Sequence, residues 1–174
     1  MPIENIDLEL LAGFDKHSFV DFVYDHKSRL RGIIAIHRSS SSFPSFGATR
    51  YWNYNTFQEA IRDALELSKM MSYKCSFAGL KYTGAKGIIL GDERVSKNSL
   101  LESYAKHVNF LRGGFITGSD VGLKKEDIEF MSKYTPYMVG LKSNPEKYTV
   151  LGLLCGIRVC MKKIFGSEDI TSRS

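Results

Sequence analysis

Short apolar runs alternate with helix-length amphipathic stretches along the 174 residues, and this alternation restricts the fold more than any other feature. "SFVDFVYD" (18–25) and "GIIAIH" (32–37) read as strands, one half-buried and one fully buried, joined as a hairpin through "HKSRLR". "GIIL" (87–90) reads as a short buried strand, "FIT" (115–117) as a brief one, and "YMVG" (137–140) as extended chain. Residues 3–12 suit a short amphipathic helix stopped by Gly13. Thr56 and Glu59 have capping-box spacing for a second helix, whose small or apolar face runs from Phe57 through Ala60, Ile61, Ala64, Leu67 and Ser68 to Met71. A third helix is expected near 97–112, ended by Gly113-Gly114, and "KKEDIEFMSKY" is helical. "RSSSSFPSFGA" (38–48) and "SNPEK" read as loops, and a last helix runs from about Thr149 to Phe165. Helices interleaved with strands imply an α/β fold, a three-layer α/β/α domain with a mixed, mostly parallel sheet.

Composition sets the class. Hydrophobic content of 43% and charged content of 25% are those of a globular protein with its own core. The net charge of +5 is dispersed among acids, as in "HKSRLR" and "MKKIFGSED", so solvated faces explain it better than a nucleic-acid-binding stripe. "MPIENIDLELLAG" is acidic and amphipathic, unlike a signal peptide, and "YTVLGLLCGIRVCM" is too short to span a bilayer and carries Arg158. Gly152 and Gly156 in that run suit close helix packing in a core. Cys75, Cys155 and Cys160 form no CxxC and read as buried reduced thiols of a cytoplasmic protein. His17, His26, His37 and His107 are isolated and offer no metal-ligand spacing, so no metal is expected.

Three stretches stand apart: "SFGATRYW" (45–52), "MSYKCSFAGLKYTGAKGI" (71–88) and "ITGSDVG" (116–122). Each reads as a loop of small residues holding charge beside a strand or helix, the usual material of ligand sites in α/β proteins. Lys74 and Lys86 lie among apolar and small neighbours. A lysine so placed loses hydration, its pKa falls, and it becomes usable as a base near neutrality. A second lysine can serve as a fixed cation for a substrate carboxylate. Two surface lysines on a turn are the plainer alternative.

These stretches, in order, resemble the amino-terminal, substrate-binding and dimerisation domain of the glutamate/leucine/phenylalanine/valine dehydrogenase family, its leucine and phenylalanine members in particular. The segment from "GIIAIH" to "SFAGL" is similar to the family's strand, Gly-Gly-Thr-Arg loop and Met-Thr-Tyr-Lys helix end. "TGAKGIILGD" resembles its glycine-rich loop with the catalytic lysine, and "FITGSDVG" its Thr-Ala-Glu-Asp-Val-Gly element. "SNPEKYTVLGLLCGIRVCMKKIFG" resembles the helix entering its second domain. The resemblance spans roughly residues 18–170, and the twelve-residue step from Lys74 to Lys86 fits it.

The resemblance implies roles. Lys86 is the general base for water attack on an imino carbon, and Asp120 moves protons at the substrate nitrogen. Lys74 binds the α-carboxylate, with backbone donors from Gly47 and Ala48. Phe46 and Gly118 shape a pocket for a large apolar side chain, and Thr149 lies near the reactive end of an NAD cofactor. The implied reaction is oxidative deamination of a branched-chain or aromatic L-amino acid in a homo-oligomer, with no nucleic acid or membrane partner. The chain departs from the family at Ala48, Thr83 and Glu93, each placing a Cβ or a charge where glycine or proline is usual. No GxGxxG is present. Residues 1–170 are therefore expected to form the substrate-binding and dimerisation domain, and residues 171–174 to start a linker to a Rossmann domain. The chain alone is expected to be inactive. The alternative is a non-catalytic module of the same descent that binds an amino acid or oligomerises.

Overall fold

A computed structural model describes residues 8–142 and 145–171. The chain divides into two compact units, Met1–Leu141 and Lys142–Ser174. The expected first helix falls partly outside the described residues; Leu8–Leu10 form a single 3-10 turn.

The first unit is built on a five-stranded sheet in the order β1-β2-β4-β3-β5. Strands β1 (Phe19–Asp25) and β2 (Leu30–Ile36) form the expected hairpin, with Asp25 paired to Leu30. Asp25 organises its turn by accepting from the amides of Lys27 and Ser28 and the hydroxyl of Ser28. β4 (Thr83–Leu90) pairs antiparallel with β2 and parallel with β3 (Ser45–Trp52), and β3 pairs parallel with β5 (Phe115–Ile116). The mixed sheet thus has two antiparallel and two parallel pairings, and the parallel bridges Thr49–Ser119 and Thr117–Met138 extend its parallel side.

Helices cover both faces, giving the three expected layers. Helix α1 (Phe57–Phe77) lays Ala60, Ile61, Ala64 and Leu65 on Ile33, Ala35, Ile88 and Leu90. Its start is capped as expected: Thr56 Oγ1 accepts from the Glu59 amide at 3.2 Å, while the Glu59 carboxylate reaches one residue further back, to the Asn55 amide. On the other face, α2 (Lys97–Phe110) and α3 (Lys125–Met131) pack Leu100, Leu101, Tyr104, Ile128 and Met131 against Ile34, Ala85, Ile89 and Phe115. Strands β2 and β4 divide their residues between the two cores with period 2, which fixes register.

Two stretches expected as loops are regular. "SFGATRYW" is β3, a strand interior to the sheet, and "MSYKCSFAGLKYTGAKGI" is the end of α1, a short turn and the start of β4. Small, polar composition reads as a loop, yet here it permits close contact: a Cβ on Gly47 would lie 1.9 Å from the Ala85 oxygen. Pairing to β4 overrides local propensity.

The second unit contains α4 (Pro145–Phe165). Residues 145–147, expected as loop, begin it, because proline is well tolerated in a first helical turn. From Lys147 to Phe165 its side chains are exposed, except the half-buried Leu154 and Met161. Two expectations fail here. Nothing lies within 4 Å of where a Cβ would stand on Gly152 or Gly156, and Cys155 and Cys160 are exposed; of the three free cysteines only Cys75 is buried. Apolar composition pointed to a core that the described residues of this unit do not form.

Candidate active site

Lys86 occupies the middle of β4, on the strand face that carries Ile88 and Leu90 toward α1. Its side chain is 6% exposed. An ammonium in such a place needs a counter-charge. Asp120 supplies it: Oδ2 accepts from Lys86 Nζ at 2.5 Å. Asp120 is seated by the chain after β5, which continues along β3 through Thr49 N to Gly118 O (2.9 Å) and Asp120 N to Thr49 O (3.1 Å).

The two charges are perturbed in ways that suit proton transfer. Burial pulls Lys86 below the usual lysine value, and the hydrogen bond and charge of Asp120 only partly offset it. Burial alone would raise Asp120, but the hydrogen bond and charge of Lys86, with the Arg50 guanidinium, leave its carboxyl below the usual value. Asp120 is therefore a fixed anion, and Lys86 is an ammonium readier than most to lose its proton.

The other expected residues divide into groups. Ala48 lies opposite Lys86 in the β3–β4 register, Gly47 opposite Ala85, and Phe46 opposite Gly84. Strand alternation puts Phe46, Ala48 and Arg50 on the face of Lys86. Phe46 packs on Tyr82 with ring centroids 5.2 Å apart. α1 covers the β2–β4 half of this face, so β3 borders the open part. Gly118 is buried next to Val139: a Cβ would stand 3.1 Å from the Val139 oxygen and 3.2 Å from Cγ2. The extra volume expected at Gly118 is thus taken by Val139.

Lys74 is exposed in the last turn of α1, a position the helix dipole favours for a cation. Its ammonium has no hydrogen-bonding or charged partner among the described residues. α1 crosses β4 in close contact at Gly84, whose amide donates to Ser72 Oγ at 3.0 Å. A helix joining two parallel strands runs antiparallel to them. Two residues along the helix and two along the strand then set Lys74 and Lys86 roughly 10 Å apart in that direction. His37 lies behind this contact, with Nδ1 2.9 Å from Ser72 Oγ and Nε2 3.3 Å from Asp15 Oδ2. Thr149 lies on α4, in the other unit.

The departures at Thr83 and Ala48 fit. Thr83 donates from Oγ1 to Ser45 Oγ at 2.9 Å, Ala48 is half-buried in the ladder, and Glu93 is exposed. Arg50 is the residue that sequence reasoning left without a role: it pairs with both Asp120 (2.9 Å) and Asp63 (2.6 Å). Its signal was an arginine alternating with small and aromatic residues in "GATRYW". Beside it lies a cleft of about 460 Å³ lined by Arg50, Trp52, Tyr54, Glu59, Arg62, Asp63 and Glu66. A larger recess of about 610 Å³, between Ser39–Ser45 and Leu111–Gly114, contains none of the charged residues of the site. Among the described residues no cluster of His, Cys, Asp or Glu could hold a metal ion, and no helix is long and apolar enough to cross a membrane.

Residues 18–137 match the family described as Glu/Leu/Phe/Val dehydrogenase, dimerisation domain. The chain belongs to this family. It is similar to leucine dehydrogenase of Bacillus subtilis (strain 168), with 33% identity over 96% of the chain and 48% of that protein. It is also similar to phenylalanine dehydrogenase of Bacillus thermotolerans, with 35% identity over 97% of the chain and 46% of that protein. The crystal structure of L-tryptophan dehydrogenase from Nostoc punctiforme matches 87% of this chain and 44% of its own, at 34% identity and a TM-score of 0.70. The chain thus spans about half the length of these dehydrogenases.

Proposed function

We propose that residues 1–170 are the substrate-binding and dimerisation domain of an NAD-dependent amino-acid dehydrogenase. The enzyme converts a hydrophobic L-amino acid, branched-chain or aromatic, to its 2-oxo acid and ammonia. Residues 171–174 lead toward a Rossmann domain. The observation that carries the reading is the buried Lys86–Asp120 pair at 2.5 Å, on the sheet face that β3 borders. The dehydrogenases named above support the reaction class.

The residues of this chain divide the work. Lys74 offers an unpaired ammonium to the α-carboxylate, with Gly47 and Ala48 supplying backbone donors. Asp120, held as an anion, receives the substrate nitrogen. Once that nitrogen shares Asp120, Lys86 loses part of what keeps it charged and passes to the free amine. Neutral Lys86 then removes a proton from the water that attacks the imino carbon, and returns it as ammonia leaves. NAD supplies the hydride acceptor. No GxGxxG occurs in the sequence, so the pyrophosphate is assigned to a further domain, and Thr149 is kept as this chain's candidate cofactor-binding residue. Phe46, with Val139 beyond Gly118, offers an apolar wall. Among the described residues, the Arg50 guanidinium beside the Lys86–Asp120 pair is already engaged by two carboxylates, which disfavours a substrate with a second carboxylate.

Self-association fits the place of β1. It is an edge strand with Phe19, Phe22 and Tyr24 exposed, a surface suited to pairing with its own copy. A cytoplasmic location accords with cysteines free of disulfides. The test is NADH formation by the protein with its downstream sequence, over a panel of L-amino acids. Leucine, phenylalanine or tryptophan should be turned over fastest. Glutamate ahead of all three refutes the substrate class, and no NADH from any amino acid refutes the activity.

A further inference from the structure

The Lys86–Asp120 pair is one end of a longer row. Asp120 Oδ2, which accepts from Lys86, also accepts from Arg50 Nε at 2.9 Å. The far side of the same guanidinium donates from Nη1 to Asp63 Oδ2 at 2.6 Å, and the Tyr54 hydroxyl donates to that oxygen as well. Charges alternate along Lys86, Asp120, Arg50 and Asp63, from β4 through the chain after β5 and across β3 to α1. The row is no solvated surface pairing: side-chain exposures are 6% for Lys86, 24% for Asp120 and Arg50, and 26% for Asp63.

We propose that Arg50 is a positioning residue that holds Asp120 against Lys86 and, by sharing Oδ2, loosens the grip of that carboxylate on the Lys86 proton, with Asp63 setting how strongly Arg50 does so. The inference rests on reading Lys86 as the base, and it adds two residues to that site. Two cations bind one carboxylate oxygen, and only one of them can lose a proton, since a guanidinium stays charged. Arg50 thus makes Asp120 a weaker counter-ion for the lysine ammonium. The planar fork is shaped for this: one edge meets Asp120 while the other meets Asp63, so the group is fixed from two sides. Asp63 in turn cancels part of the Arg50 charge felt at Lys86. Among the described residues the charged groups that act most on Lys86 are Asp120, Arg50 and Asp63. Its cross-strand partners, Ala35 on β2 and Ala48 on β3, are apolar.

The arrangement predicts opposite signs for two changes. Arg50→Gln removes the competitor, so Lys86 should hold its proton more tightly. Asp63→Asn keeps the shape and the Tyr54 hydrogen bond but removes the charge that offsets Arg50, so Lys86 should hold its proton less tightly. The experiment is an NMR titration of the Lys86 side-chain amine in the 174-residue chain, with backbone amide spectra to check folding. Expected results are a rise of about 1 pKa unit for Arg50→Gln, a fall for Asp63→Asn, and a value near wild type for Arg50→Lys. Mere loosening of the packing hydrates Lys86 and raises its pKa in both variants. A rise in both, or no change in either, overturns the proposal. If Arg50→Gln does not fold, Asp63→Asn alone decides by its sign. The same variants in the full-length enzyme separate this inference from the assignment of the base. Shifts of Lys86 in the chain without a matching shift in the pH profile of kcat/KM support Arg50 in its role and refute Lys86 as the base.

Discussion

Replacing Gly84 by alanine tests whether the close crossing of α1 over β4 holds the site together. A Cβ on Gly84 would stand 2.1 Å from the Ser72 amide nitrogen, 2.3 Å from the Ser68 carbonyl oxygen and 2.5 Å from Ser72 Oγ. Two of these are helix backbone atoms, which cannot rotate away. Helix and strand must separate by about 1.3 Å to restore ordinary contact, enough to forfeit much of the dispersion across the seam. Overpacking of this kind costs about 1–3 kcal/mol. Weakening the hydrogen bond from the Gly84 amide to Ser72 adds about 1 kcal/mol. A total near 3 kcal/mol lowers Tm by roughly 6–12 °C for a protein of this size. Thermal unfolding of the 174-residue chain, followed by circular dichroism, measures it. Gly152→Ala is the control: nothing lies within 4 Å of that Cβ, and alanine suits a helix interior, so Tm should hold or rise. A fall of less than about 2 °C for Gly84→Ala refutes the close packing of the seam.

Lys74→Ala in the full-length enzyme should raise KM for the amino acid at least tenfold, as a charge-assisted contact to the carboxylate is lost, with the fold unchanged; an unchanged KM removes Lys74 from the carboxylate site. Hydrogen bonds from the Ser103 and Ser28 hydroxyls hold Asp25 well below the usual carboxylate range, so its stabilisation is complete above the unfolded-state value near 3.8 and is lost as pH falls through the lower folded-state value. Asp25→Asn should therefore flatten the acid limb of Tm against pH, and an unchanged limb contradicts this. A thiol reagent should label Cys155 and Cys160 quickly and Cys75 slowly, because burial hides Cys75 and raises its pKa; equal rates contradict it. Light scattering should give at least twice 19.7 kDa for the purified chain, and a monomer removes the proposed β1 contact.

The sequence pointed to Lys86 because a lysine between "TGA" and "GIIL" has small and apolar neighbours that hydrate it poorly, although its place inside a strand was not legible. Asp120 stood out as the charge of "ITGSDVG", but its role beside Lys86 came only through the resemblance, since 34 residues separate the two. Arg50 had no legible role for the same reason: its partners lie 13 and 70 residues away, Asp63 brought by the packing of α1 and Asp120 by the chain after β5. The hairpin and helix α1 were legible because turn, cap and periodicity agree with the fold. β3 was not, because serine, glycine and proline weigh toward a loop until pairing to β4 is known. Gly118 misled in a different way. A missing Cβ suggested free volume, but the space belongs to Val139 from a segment about twenty residues further on, which local sequence does not reveal.

The most direct test of Lys86 as the base is chemical rescue of Lys86→Ala in the full-length enzyme. Removing a positioned proton-transfer group costs about 10²–10⁴ in turnover. With the side chain gone and the cavity beside Asp120 open, small primary amines added to the assay should restore part of that loss. Rescue should rise with pH as the free-amine fraction rises, while KM for the amino acid stays near wild type because Lys74 is untouched. Turnover near wild type without added amine contradicts the assignment, as does a deep loss that no amine relieves at any pH.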